Sequence, residues 1–156
     1  MEETDPLGTM GALSMIKEIA HEDILVMNSD LLTNIDFEDF FQFYKSEAAS
    51  MVVTSIPYEI NVPYAVLGIK DHEVVSFAEK PVYTYYSNGG IYLMQFGLKR
   101  FTKQREFFNA TDLMDIVIND KEHKLVHYPL LTYWLDIGKH TDYIRAQEDI
   151  KHLNLS

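Results

Sequence analysis

Apolar positions along this chain follow two rhythms, and each predicts its own kind of element. Phe37, Phe40, Phe41 and Tyr44 recur at i, i+3, i+4 and i+7, the spacing that lines one face of an α-helix against a sheet. Asp36 stands ready to cap that helix. Before it, residues 23–27 form a short apolar run closed by Asn28-Ser29-Asp30, as expected of a buried parallel strand. Further upstream, Leu7-Gly8-Thr9-Met10-Gly11 reads as a tight turn entering a helix over 10–20. Thr9 is its N-cap, and Leu13, Ile16, Lys17 and Ala20 form its stripe. Residues 49–56 read as the next strand.

Past residue 60 the rhythm shortens. Residues 64–69 and 73–77 are β-rich and meet at Lys70-Asp71-His72, which predicts a hairpin. A strand over 90–94 follows Ser87-Asn88-Gly89. A helix is expected over 111–119, with Asp112 and Asp115 near its positive end. Strands over 124–128 and 133–135 and a closing helix over 141–152 complete the order. Tyr83, Tyr85 and Tyr86 read as hairpin-surface aromatics. Helices alternating with buried strands, then hairpins, predict an α/β domain with a mixed sheet. No repeat, low-complexity tract or linker divides residues 1–156, so one domain is expected.

Composition narrows the chemistry. The chain has 156 residues, 47% hydrophobic and 13% aromatic, enough for a packed core. A formal net charge of -11 argues against nucleic acid or an anionic membrane as partner, because those surfaces recruit clustered Lys and Arg. Phosphates can still bind through local cations and backbone N–H groups. Cysteine is absent, which excludes disulfides, a thiolate nucleophile and zinc-thiolate sites. The six histidines show no metal-ligand spacing. No stretch is long enough to span a bilayer and no signal-peptide pattern opens the chain, so a cytoplasmic location is the expectation.

Four segments carry candidate chemistry, each with a plain structural alternative. Gly8-Thr9-Met10-Gly11 opens a helix and exposes N–H groups to a base or phosphate; glycines at a helix start also serve simply as turn residues. Asp30 closes an apolar strand, where ligands gather in open α/β sheets; Asn, Ser and Asp also favour plain turns. Glu79-Lys80-Pro81 ends a strand, and proline holds Lys80 extended. Strand alternation sends Glu79 and Lys80 to opposite sides unless the strand twists or ends there, and a charged strand end is the alternative. Asp136 in Trp134-Leu135-Asp136-Ile137-Gly138 sits between large apolar residues, where a carboxylate needs a partner, a metal or backbone donors. Two carboxylates and a lysine are the kit for divalent-metal phosphate chemistry. Lys139 and His140 add cations near a helix start. No G-x-S-x-G, Walker lysine loop or G-x-G-x-x-G is present.

Taken in order, six segments resemble the sugar nucleotidyltransferase family. They are Pro6-Leu7-Gly8-Thr9-Met10-Gly11-Ala12-Leu13, Val26-Met27-Asn28-Ser29-Asp30-Leu31-Leu32-Thr33, Val62-Pro63-Tyr64-Ala65-Val66, Glu79-Lys80-Pro81, Asn88-Gly89-Gly90-Ile91-Tyr92, and Tyr133-Trp134-Leu135-Asp136-Ile137-Gly138. The wording is nearest the mannose-1-phosphate guanylyltransferase-like branch; glucose-1-phosphate thymidylyltransferases are also similar. The resemblance implies a three-layer, Rossmann-like domain with a mixed sheet. It implies transfer of a nucleotidyl group, from GTP by preference, to a sugar 1-phosphate with release of pyrophosphate. By the same resemblance Gly8 and Gly11 lie by the base, and Asp30 and Asp136 hold Mg²⁺. Glu79 binds sugar hydroxyls, Lys80 the sugar phosphate, and Asn88 and Gly89 the sugar side.

Two departures qualify that expectation. Ala65 stands where relatives carry glycine. The opening strand and glycine-rich triphosphate loop of the family have no counterpart, so the domain is expected to be truncated at its amino terminus, with weak or no activity alone or an exposed edge that pairs, as in a homo-oligomer. Two alternatives stand beside this: a non-catalytic sugar-nucleotide-binding or regulatory subunit, and a domain that merely assembles with a partner.

Overall fold

The computed structural model describes residues 5–153. Its organising element is a long two-stranded ribbon. β3 (Met51–Asn61) and β6 (Val82–Gln95) run antiparallel over almost their full length. β1 (Asp23–Met27) adds to the outer side of β6, and β7 (Leu125–Pro129) adds to β3, giving the order β1-β6-β3-β7. Among the described residues only the β3–β7 pair is parallel. The sheet is therefore mixed, as expected, and helices cover both faces.

Alternation along the ribbon decides which residue enters which layer. Met51, Val53, Tyr92 and Met94 face α2 (Ala110–Asn119), where Leu113 and Val117 are fully buried together with Met10, Leu13 and Leu98. Val52, Ile91 and Leu93 face α1 (Phe37–Ser46) and pack with Phe40, Tyr44 and Leu130. Each such side chain contributes roughly 1.5–3 kcal/mol on burial. These two clusters on opposite faces make the three layers.

Asp36 caps α1 as the sequence predicts, its carboxylate accepting from the N–H groups of Glu38 and Asp39 at 2.9 and 3.0 Å. The aromatic face is narrower than its spacing suggests. Phe40 and Tyr44 are buried, whereas Phe37 and Phe41 remain 43% and 36% exposed, because the sheet beneath them ends at β1.

Three further expectations are corrected. β1 is not a buried parallel strand: it runs antiparallel to β6, from Asp23↔Gln95 to Met27↔Ile91, and is an edge strand among the described residues. It runs in the same direction as β3, because both pair antiparallel with the β6 that lies between them. The helix expected over 10–20 is a single 3-10 stretch, Gly11–Met15, with Ile16 already extended. Thr9 does not cap it; the Thr9 hydroxyl accepts from Ala110 N–H at 2.7 Å, at the start of α2. Finally, the strands expected over 49–56 and 90–94 are the inner halves of longer ones. Their outer halves form an arm, tipped by a hairpin of β4 (Val66–Lys70) and β5 (Glu73–Ala78) with Asp71 in its turn at φ +53°. Tyr58, Ile60, Tyr83, Tyr85 and Tyr86 are exposed along that arm.

Between core and arm the ribbon is irregular. Val53 opposes Tyr92, yet Ser55 opposes Asn88, so β6 carries the extra residues of a bulge. Gly89 and Gly90 supply it. A Cβ on Gly89 would lie 2.5 Å from the Thr54 hydroxyl oxygen, and Gly90 has φ +74°. Two short strands, β2 (Leu31–Thr33) and β8 (Trp134–Asp136), pair beside the main sheet, and α3 (His140–Asp149) closes the chain. No helix among the described residues is long and apolar enough to cross a membrane.

Two comparisons test this packing by urea denaturation. Phe40→Ala is expected to lower stability by about 3–5 kcal/mol, and Phe41→Ala by less than about 1 kcal/mol. Gly89→Ala is expected to cost about 1–3 kcal/mol by overpacking Thr54, whereas Gly97→Ala, with open space around its Cα, should stay within about 0.5 kcal/mol.

Candidate functional site

Three distant stretches of sequence meet at the end of β1. Asn28 N–H donates to Gly90 O at 2.9 Å, which ties the turn after β1 to the β6 bulge. The Trp134 indole N–H donates to Gly89 O at 2.8 Å, which ties β8 to the same bulge. Ile137 N–H donates to Asp30 O at 2.8 Å, and Leu31 opposes Asp136 in the β2–β8 pair. The backbones of Asp30 and Asp136 therefore lie side by side.

Their side chains need a separate argument. In a regular antiparallel pair, residues one step out of register point to opposite faces. Asp30, however, lies in the turn before β2 rather than in a strand, so alternation does not dictate its direction. Asp136 follows the buried Leu135 and is turned outward. Its carboxylate curls toward Gly138, where a Cβ would come within 3.3 Å of Oδ1. Both aspartates are exposed; the apolar flanks of Asp136 do not bury it, because Leu135 takes the inward position. Neither enters an ion pair among the described residues, and those residues contain no group of three or more metal-ligating side chains. Two free carboxylates match the demand of Mg²⁺, which takes one or two of them and fills its octahedron with water and substrate phosphate oxygens.

β8 is held firmly. Tyr133 N–H donates to Asn34 Oδ1 at 2.9 Å, and the Thr33 hydroxyl donates to Tyr133 O at 2.8 Å. The Tyr133 hydroxyl donates to Asp149 on α3. Desolvation and that neighbouring carboxylate push the Tyr133 phenol up to about 12, so it stays a donor at neutral pH.

A cleft of about 490 Å³ opens beside Asp30, lined by Gly8, Thr9, Met27, Asn28, Ser29, Phe107 and Asn109. Gly8 and Asp30 thus share one cleft. Gly8 has φ +75°, and a Cβ there would meet Asn109 Oδ1 and Phe108 O at 2.8 Å. Gly11 is buried against Leu7 and Glu106 O. Both glycines serve close backbone packing onto the segment before α2. Phe107 and Asn109, distant in sequence from Asp30, were not anticipated at the cleft; the one local signal was the position of Asn109 just ahead of a helix.

The remaining expected residues are placed differently. Glu79 and Lys80 are exposed at the outer end of the arm, where Val62 N–H donates to Pro81 O; Lys80 has φ +44°, so it is left-handed rather than extended ahead of Pro81 as the sequence predicts. Along β6, Val82 lies seven residues from Gly89, about 23 Å at the rise of an extended strand. The structure does not bring Lys80 beside Asp30 and Asp136. The Asn88 side chain faces the α2 layer, where it meets Gly90 N–H, the Tyr92 hydroxyl and Met114 Sδ, while the Gly89 carbonyl meets Trp134.

Comparisons with known proteins bear on the family and the fold. A mannose-1-phosphate guanyltransferase of Schizosaccharomyces pombe is 30% identical over 153 residues, covering 91% of this chain and 41% of that enzyme. A D-glycero-alpha-D-manno-heptose 1-phosphate guanylyltransferase of Aneurinibacillus thermoaerophilus is 24% identical, covering 96% of this chain and 66% of that protein. The crystal structure of HddC from Yersinia pseudotuberculosis superposes with a TM-score of 0.65 at 25% identity, covering 95% of this chain and 64% of that one. This chain thus spans less than two thirds of the length of several relatives. The nucleotidyl transferase family model matches residues 1–152, and on that near-complete match the chain belongs to the nucleotidyl transferase family.

Proposed function

We propose that this chain carries part of the catalytic site of a sugar-1-phosphate nucleotidyltransferase, with GTP as the favoured donor. The observation that supports it most is the backbone adjacency of Asp30 and Asp136. The guanylyltransferase names of the relatives favour guanine over other bases.

In the proposed reaction a phosphate oxygen of the sugar 1-phosphate attacks the α-phosphorus of the triphosphate. The bond from that phosphorus to the bridging oxygen breaks, and pyrophosphate leaves. No covalent bond to the protein forms, so the chain's own task is to position and to neutralise charge. Asp30 and Asp136 are the ligands for Mg²⁺, which when bound screens the phosphate oxygens. Gly8 lines the base side of the cleft beside Asp30, and Gly11, buried against Leu7, supports it from within. The Asn88–Gly89 segment lies on the sugar side, Glu79 takes sugar hydroxyls, and Lys80 takes the phosphate. Because the arm is extended, this reading requires it to bend over the cleft.

The sequence has no glycine-rich loop for the triphosphate, so this chain alone is expected to turn over weakly or not at all. Pyrophosphate release is the assay, with GTP and either mannose 1-phosphate or D-glycero-α-D-manno-heptose 1-phosphate. This chain is compared with a version extended upstream along its gene. The extended version is expected to release pyrophosphate, and Lys80→Ala within it to lower the rate at least about 100-fold, as removal of a charge-stabilising group does elsewhere. An extended version that neither turns over nor binds nucleotide would sink the reading. One that binds a nucleotide sugar without turnover would replace it with a regulatory, non-catalytic role.

A further inference from the structure

We infer that one face of the arm is a docking surface for a second copy of this chain, which lays its own arm against it across a two-fold axis. The surface is separate from the cleft, so its occupant does not depend on the reading given under Proposed function.

The register sorts the arm's side chains onto two unlike faces, because directly opposed residues of an antiparallel pair share a face. Tyr58 opposes Tyr85 and Ile60 opposes Tyr83, following Ile56 opposite Ser87. None of these six is charged. The other face carries Pro57 with Tyr86, Glu59 with Thr84, and Asn61 with Val82. There Tyr86 has a neighbour: its ring meets His127 of β7 edge-on at 5.0 Å between centroids. The first face is bare. Tyr58 and Tyr85 are 61% and 57% exposed, Ile60 and Tyr83 42% and 39%. Among the described residues no ring contact engages Tyr58, Tyr83 or Tyr85, not even between the opposed Tyr58 and Tyr85. These rings do not brace the ribbon itself, as cross-strand aromatic pairs commonly do.

The extra residues of the bulge lie on β6, so alternation along β3 is unbroken. Tyr58 and Ile60 therefore share the side of Ile56, which packs against the α1-side core. The cleft beside Asp30 is bordered instead by Gly8 and by Asn109, the residue that opens α2. A partner seated on the apolar face leaves the cleft open.

Charge and area select the partner. A formal net charge of -11 makes contact between the bodies of two copies repulsive, whereas this face lets them meet without bringing charges together. Tyrosine is enriched in the cores of interfaces, and Glu and Lys are depleted there. Across a two-fold, the row of Tyr58 and Tyr85 on one arm lies over the row of Ile60 and Tyr83 on the other, an isologous contact. Taking roughly 150–250 Å² for a buried aromatic, the four side chains leave on the order of 400 Å² open on each arm. Two arms then bury about 800 Å² in total, the size of a transient interface.

Sedimentation equilibrium on the whole chain tests this, from about 5 μM to about 500 μM, where a contact of this size is populated. The chain is expected to pass from monomer to dimer. The dimer is expected to tighten at least about threefold when salt rises from about 50 mM to about 500 mM, since screening relieves the repulsion of two acidic bodies. Tyr85→Lys is expected to weaken it at least about tenfold, and Thr84→Lys, the same charge on the opposite face, by less than about twofold. Tyr85→Thr keeps a strand-favouring residue in case lysine unfolds the arm; it is expected to weaken the dimer at least about threefold with the Gly68 amide shift unmoved. A chain that stays monomeric throughout overturns the docking surface. A dimer that survives Tyr85→Lys but is lost in Leu25→Lys overturns it in favour of pairing at the β1 edge. A version extended upstream along its gene is expected to dimerise likewise; if it stays monomeric, the face is covered from within the same chain and the second copy is overturned.

Discussion

The site depends on three hydrogen bonds, each accepted by a backbone carbonyl. Asn28 reaches Gly90, Trp134 reaches Gly89, and Ile137 reaches Asp30. Strands as short as β2 and β8 have too few ladder bonds to persist alone. They hold because Leu31 and Trp134 pack against the α1-side core and because the Gly89 carbonyl receives the indole. Without that anchorage Asp136 would sit on a free loop, and the cost of closing so long an intervening segment would fall on the cation alone.

The same architecture explains what the molecule leaves open. β1 is an edge strand among the described residues, with Leu25 exposed beside Phe41 and Met27 exposed at the Asp30 cleft. The arm carries a second group of exposed apolar residues on both β3 and β6. Exposed apolar surface on this scale is unusual in a self-contained monomer, and it agrees with a chain that spans only part of the length of its relatives. It also separates the two halves of the expected chemistry: carboxylates at the root of the arm, Lys80 and Glu79 near its tip.

Much of the fold was legible because it is local. The apolar run 23–27 is β1, Asp36 does cap α1, and the turn at Lys70-Asp71-His72 does make a hairpin, since turn and cap chemistry acts over a few residues. What was not legible depends on tertiary partners. The direction of β1 is set by β6, far along the chain. Thr9 was drawn to the start of α2 instead of capping its own segment, and residues 16–22 form no helix. The arm length is invisible to a hydrophobic pattern because its apolar residues are exposed. For the site, the residue types marked Asp30 and Asp136, but only the β2–β8 register shows that their backbones are neighbours. The orientation of Asn88 follows from a bulge, which shifts the alternation that a regular strand would obey.

The central claim is that Asp30 and Asp136 grip one cation between them. Mn²⁺ can stand in for Mg²⁺, and its affinity for this chain can be compared across Asp30→Asn, Asp136→Asn and the double variant by paramagnetic relaxation. Ligands of one ion act as a unit, so each single change should remove most of the affinity, about tenfold or more, and the double change should add little beyond either. Single changes that leave Mn²⁺ binding intact, or effects that multiply independently in the double variant, would contradict a shared site.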